Sequence, residues 1–252
     1  MGSPLSFEGN GPASLDATSN PPAMFDGTTR LYMSYVSPYA QRAWITRNYK
    51  GLQEKIELVP INLFNKPSWY KERVNPASMV PALEHNGKVI TESLDVIKYI
   101  DGNFDGPSLY PKDPEKRELG EYLMKYSNTT FINIVIGSFR GNPAKESTPV
   151  FDHLENVLHK FNEGPFFLGK LSLVDIAFIT VIERVQPLLE DAFKYDITLG
   201  RPKLATWIKE MNKIDAYSQT KVNRQQVIKY MKSRYMLRAS KSILYQNQVS
   251  KL

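Results

Sequence analysis

A change of period divides this chain and restricts its fold more than any other feature. Up to about residue 104 the apolar residues fall in short alternating runs with two helical stretches among them. From residue 115 onward they recur three and four apart. Between them lies "DGPSLYPKDP", residues 105 to 114, with three prolines and a glycine. A period of two asks for strands and a period near 3.6 for helices, so the chain must join an α/β module to an all-helical one. The expected boundaries are a flexible leader at 1–25, a first domain at 26–105, a linker at 106–114, a helical domain at 115–235 and a basic tail at 236–252.

Within the first module, "TTRLYMSYV" reads as a strand. "SPYAQRAWITRNYKGL" follows as a helix with Ser37 at its N-cap, Pro38 at the first helical position and Gly51 at its end. "KIELVPINL" is a second strand, able to lie parallel to the first through a right-handed crossover. "PALEH" and "KVITES" flank Asn86-Gly87, a strong hairpin signal. "LDVIKYIDGNF" places Leu94, Ile97 and Ile100 at helical spacing. In the second module "SLVD", residues 172 to 175, sets a serine N-cap three residues before an acid that can reach back to the free backbone N–H groups.

The 252 residues contain no cysteine, which removes disulfides, thiolate metal ligands and a cysteine nucleophile, and no metal site is assigned. No apolar run reaches the length of a membrane span, and the first residues lack the pattern of a signal peptide. A soluble cytoplasmic protein is expected. The net charge of +6 invites a nucleic-acid reading, but eight of the 32 Lys and Arg residues lie from Lys221 onward with no acid among them, leaving 24 against 26 acids before that point. The excess is that of a solvated terminus, with no interleaved aromatic platform behind it, so no nucleic-acid partner is expected. His85, His153 and His159 read as structural or solvated.

Four features of the first module can converge. Ser37 and Pro38 open a helix at the carboxyl end of a strand, where the N-terminus favours negative charge such as a thiolate. Val80 precedes Pro81 in a turn of the kind that can be cis, freeing the Val80 backbone to pair with a peptide. Glu92 and Ser93 precede the second helix, where a serine hydroxyl and end-of-helix N–H groups can hold a carboxylate while Glu92 pairs with an amine. Lys66, in "FNKPSW", can neutralise an acidic ligand. Each also has a structural reading: Ser37 as a plain N-cap, Glu92-Ser93 as a helix start, Pro81 as strand punctuation.

In "SPYAQRAWITRNYKGL", "NKPSWYKERVNPASMVPALEHNGKVITESLDVIKYID" and "GPFFLGKLSLVDIAF", and over about residues 24 to 235, the chain resembles the glutathione transferases, most closely the plant lambda class. The resemblance implies a thioredoxin-like N-terminal domain (β-α-β-α-β-β-α), an all-helical C-terminal domain, and glutathione as cosubstrate in a site between them. On that resemblance Lys66, Val80, Pro81 (as a cis-proline), Glu92 and Ser93 fall on glutathione-binding positions. Ser37 falls on the catalytic position, where the lambda class resembles thiol transferases with a cysteine. A helix end and a cation can bring a thiol into the physiological range, but that field leaves an alcohol protonated, which excludes a disulfide cycle for this chain. Ser37 can still donate its hydroxyl hydrogen to the glutathione sulfur for conjugation or isomerisation, whether it is native or replaces a cysteine. A hydrophobic or aromatic cosubstrate is expected in the interdomain cleft, lined by "FINIVIGSF", Tyr39 and Trp207. The alternative is a non-catalytic carrier of flavonoid-like compounds. The resemblance also implies a monomer.

Overall fold

The computed structural model describes residues 11–236. The first module forms a four-stranded sheet of β1 (Arg30–Met33), β2 (Glu57–Pro60), β3 (Ala82–His85) and β4 (Lys88–Ile90) in the order β2-β1-β3-β4. β1 pairs parallel with β2, Leu31 opposite Leu58, and antiparallel with β3, Leu31 opposite Leu83. α1 (Pro38–Tyr49) makes the crossover, and α2 (Ser93–Asn103) follows β4. The middle helix of the expected β-α-β-α-β-β-α order is a single π-helical turn at Tyr70–Val74. At the β3–β4 hairpin, Asn86 and Gly87 have φ of 48° and 72°, the positive values that this two-residue turn requires.

All four residues of β1 are buried, and their alternation assigns them to two cores. Leu31 and Met33 join a large apolar cluster with α1 and α2, whereas Tyr32 joins a smaller one with Val59, Ile61, Trp69, Tyr70 and Ala82. A strand covered on both faces needs material on each side, and part of the cover comes from the leader. Leu15 pairs with the outer edge of β2, its N–H donating to the Pro60 carbonyl at 2.8 Å and its carbonyl accepting from Asn62 N–H at 2.8 Å. The Trp69 indole donates to the Ser19 carbonyl and the Tyr35 hydroxyl to the Pro12 carbonyl. The expectation of a mobile leader over 1–25 is therefore corrected for residues 11–25. An edge strand carries a row of unpaired backbone groups, and this segment satisfies some of them. Residues 1–10 lie outside the described residues.

Between α2 and α3 (Pro114–Tyr126) the chain passes close to the end of α1. Gly106 adopts φ +121°, and a Cβ there would stand 2.6 Å from the Lys50 carbonyl oxygen, so only glycine fits. The helical part continues through α4 (Ile132–Ser138), α5 (Pro143–Glu146), α6 (Thr148–Leu158), the long α7 (Leu173–Phe193), α8 (Pro202–Met211), α9 (Asp215–Ser218) and α10 (Arg224–Met231). A π-helical turn at Ser127–Phe131 joins α3 to α4. The apolar cluster begun by Leu31 and Ile97 runs without a break to Phe178 of α7 and Trp207 of α8. The two modules are thus welded through α1.

The α7 N-terminus is held by Asp175, which accepts from Ser172 N–H at 2.9 Å, the Ser172 hydroxyl at 2.8 Å, Phe167 N–H at 3.1 Å and the Trp207 indole N–H at 2.8 Å. Burial pushes its carboxyl up to about 6, against the opposing pull of these donors. Of the basic residues assigned to the C-terminal excess, Arg224 and Lys232 pair with Glu190 and Asp191 at the end of α7. The tail beyond Met236 lies outside the described residues. No helix among the described residues is long and apolar enough to cross a membrane.

Candidate functional site

Two cavities share Tyr39 as a wall. The first, of about 300 Å³, is lined by Tyr39, Asn75, Met79, Val80, Pro81, Glu92, Ser93 and Asn128. The Val80-Pro81 peptide is cis. The loop before it is held by its own neighbours. Asn75 Nδ2 and the Tyr70 hydroxyl both donate to the Met79 carbonyl, at 2.9 and 2.7 Å, and Lys66 Nζ donates to the Ser78 carbonyl at 2.5 Å. Val80 stands just ahead of β3 at the lip of the cavity. Glu92 is exposed with φ +64°, a left-handed conformation uncommon outside glycine, and turns the chain sharply into α2. Ser93 opens that helix, so its hydroxyl and the unpaired N–H groups of the first turn face one place.

One side chain ties these parts together. Arg42 of α1 is fully buried; its Nε and Nη2 donate to the Ala177 carbonyl at 3.2 and 2.8 Å, and Nη1 donates to Ser93 Oγ at 3.1 Å and to Asn128 Oδ1 at 2.5 Å. Its guanidinium also lies over the Tyr39 ring at 5.1 Å. Burial pushes its pKa down to about 10, still a cation at neutral pH. With a lone pair of Ser93 taken by Arg42, the serine hydrogen is left to donate.

The second cavity, of about 200 Å³, contains Ser37. Ser37 is 7% exposed, and its oxygen accepts from Ala40 N–H at 3.2 Å in a true N-cap. Capping uses a lone pair and leaves the hydroxyl hydrogen free to donate, so cap and donor are compatible roles. No acid occupies the first turn of α1 to oppose a negative charge there. Around Ser37 stand Leu63, Ile132, Ile136, Val181, Val185 and the rings of Tyr39, Tyr230 and Tyr235, with Arg184 and Arg234 as the cations. None of the three histidines lines either cavity.

Of the residues singled out by sequence, Val80, Pro81, Glu92 and Ser93 surround the first cavity, Ser37 the second, and Tyr39 both. Lys66 lines neither and anchors the loop that does. Trp207 is a correction. It is fully buried in the helical core, its ring packed on Phe167 at 5.1 Å and its N–H donated to Asp175, because the Leu204-Trp207-Met211 face of α8 turns inward. From "FINIVIGSF", Ile132 and Ile136 reach the second cavity while Phe131, Val135 and Phe139 are core. Sequence reasoning missed Arg42, Asn128 and Arg184. The available signal for Arg42 and Arg184 was a cation inside a helix with apolar neighbours on every turn, which must find partners once buried.

Comparison with known proteins agrees with this architecture. A family model described as the glutathione S-transferase N-terminal domain matches residues 31–108, and one for the C-terminal domain matches residues 148–210. The chain is 64% identical over 218 residues to glutathione S-transferase L1 of Arabidopsis thaliana, covering 86% of this chain and 92% of that protein. It is 53% identical over 225 residues to the chloroplastic L2 protein of the same plant, covering 89% and 77% respectively. Among solved structures, a Tau class glutathione S-transferase from mango (Mangifera indica) superposes with a TM-score of 0.74 at 26% identity, over 81% of this chain and 97% of that one. With both halves of the fold matched and this identity over most of its length, the chain belongs to the glutathione S-transferases, in their lambda class.

Proposed function

We propose that the first cavity grips glutathione by its charged ends and presents its sulfur to Ser37 across Tyr39. The observation that carries this reading is the grouping of Val80, cis-Pro81, Glu92 and Ser93 around one cavity that shares its Tyr39 wall with the cavity of Ser37. In this reading Ser93 and the first-turn N–H groups of α2 take the γ-glutamyl carboxylate, Glu92 its ammonium, and the Val80 backbone the cysteinyl unit. The Ser37 hydroxyl donates to the sulfur and favours the thiolate through a charge-assisted hydrogen bond. The thiolate then attacks an electrophile, or supports an isomerisation, in the second cavity. Lys66 acts through the loop it holds.

A hydrogen bond to a charged group contributes about 1.5–3 kcal/mol, so Ser37→Ala should lower the rate of glutathione conjugation to 1-chloro-2,4-dinitrobenzene by roughly 10- to 100-fold. Equal rates in both proteins would remove Ser37 from the chemistry, whereas tight ligand uptake with no turnover in either would favour the carrier reading. Ser37→Cys supplies the missing sulfur and should confer deglutathionylation. The reading also includes a monomer in the cytoplasm. A single-chain mass in size-exclusion chromatography with light scattering and a diffuse signal from a fluorescent fusion are its checks, the latter pointed because one relative is named chloroplastic.

A further inference from the structure

The second cavity is lined by a buried cation whose hydrogen-bonding capacity is only partly spent. Arg184 of α7 is 3% exposed. Its Nε donates weakly to the Val36 carbonyl at 3.4 Å. Glu183 Oε1 approaches Nη1 to 2.7 Å, yet neither Nη1 nor Nη2 has a hydrogen-bond acceptor among the described residues. Glu183 is itself engaged elsewhere, its Oε1 accepting from Val222 N–H and its Oε2 from Gln41 Nε2, each at 2.8 Å. Leaving guanidinium N–H groups buried without an acceptor is costly, and such an orphan in a cavity wall fits a site completed by a ligand. The ligand must bring an acceptor matched to a planar fork, which a carboxylate does with two parallel bonds. It must also bring an apolar body, since the remaining walls are Ile132, Ile136, Val181 and Val185 with the rings of Tyr39 and Tyr230.

We propose that the second cavity selects an aromatic carboxylate, its acid group on the outer N–H groups of Arg184 and its ring among these side chains, beside Ser37. This rests on the reading of that cavity as the cosubstrate site and names the class of compound it takes. Arg234, exposed at the same cavity, adds a second positive charge on the approach.

The test is calorimetric titration of the full chain, with and without saturating glutathione, using trans-cinnamate and its methyl ester. The acid should bind at least tenfold more tightly than the ester. The ratio should fall to about one in the double variant Arg184→Met/Glu183→Gln, which removes both buried charges together, and should lie between these values in Arg184→Lys. A ratio near one in the unaltered chain overturns the proposal, without needing any variant to fold. So does a ratio that persists in the double variant, which would assign the preference to other cations, and so does a double variant that loses glutathione affinity while keeping the acid-to-ester ratio, which would assign Arg184 to the tripeptide. Failure of the unaltered chain to bind glutathione would sink the wider reading instead; the ratio measured without glutathione still decides this one.

Discussion

Two buried arginines, one on each side of the cleft, end in opposite states. Arg42, at the junction of α1, α2 and α7, donates from Nε, Nη1 and Nη2 into three acceptors. Arg184, about two turns further along α7 than the Ala177 carbonyl that Arg42 donates to, keeps two nitrogens without an acceptor among the described residues. A satisfied buried cation is a fixed piece of architecture, and here it aims Ser93 and Asn128. An unsatisfied one has interaction energy still to give, and a ligand is what can receive it. The same residue type therefore acts as scaffold in one region and as recognition element in the other, and only the census of acceptors tells them apart.

The contrast can be broken or sharpened by substitution. Arg42→Met should have the largest effect. It leaves the Ala177 carbonyl without its donor and Ser93 unaimed, so stability in urea should fall by about 3 kcal/mol and glutathione affinity by about tenfold or more. A loss below about 1 kcal/mol would erase the distinction between the two arginines.

Asp175 is a second satisfied buried charge, and Asp175→Asn should cost about 2 kcal/mol by turning an amide N–H towards the Ser172 donors. Its pH dependence follows from burial. The native carboxyl titrates at about 6, above its unfolded value near 4, so between these values the native state holds a proton that the unfolded state has released. Its contribution is present at low pH and is lost as pH rises to 6. Measured against Asp175→Asn, the unaltered chain should therefore lose relative stability from pH 4 to pH 6, and a flat difference would contradict the assignment.

Trp207→Phe should cost about 1.5 kcal/mol through the lost indole hydrogen bond and the smaller ring. Turnover and ligand affinity should stay unchanged, which separates a core residue from a cleft residue in one kinetic assay. The smallest effect belongs to Ser37→Ala as a cap, about 1 kcal/mol in thermal or urea unfolding, alongside its larger effect on conjugation.

Much of the fold was legible locally. Ser37-Pro38 with Gly51 marked α1, Asn86-Gly87 marked the hairpin, and "SLVD" marked the start of α7, because caps and turns are decided by a few adjacent residues and their backbone preferences. That Val80, Pro81, Glu92 and Ser93 can converge follows from helix starts and a proline turn in an α/β module, but their shared role came only from a family likeness, since elements far apart in the chain bring those residues together. Trp207 was misplaced because an aromatic side chain on an amphipathic helix looks alike whether it lines a cleft or a core. Residues 11–25 looked mobile because their pairing with the edge of β2 is through backbone groups that every residue carries.

By itself the sequence determined the two-module order, the helix and hairpin punctuation, and the absence of any thiol for redox chemistry. The tertiary structure alone decided which buried polar groups find partners: that Arg42 is spent on Ala177, Ser93 and Asn128, that Asp175 holds Trp207, and that Arg184 lines a cavity while its Nη1 and Nη2 lack a hydrogen-bond acceptor among the described residues. The reason is physical. A residue's propensity is a property of its neighbours in the chain, whereas hydrogen-bond satisfaction is a property of its neighbours in space.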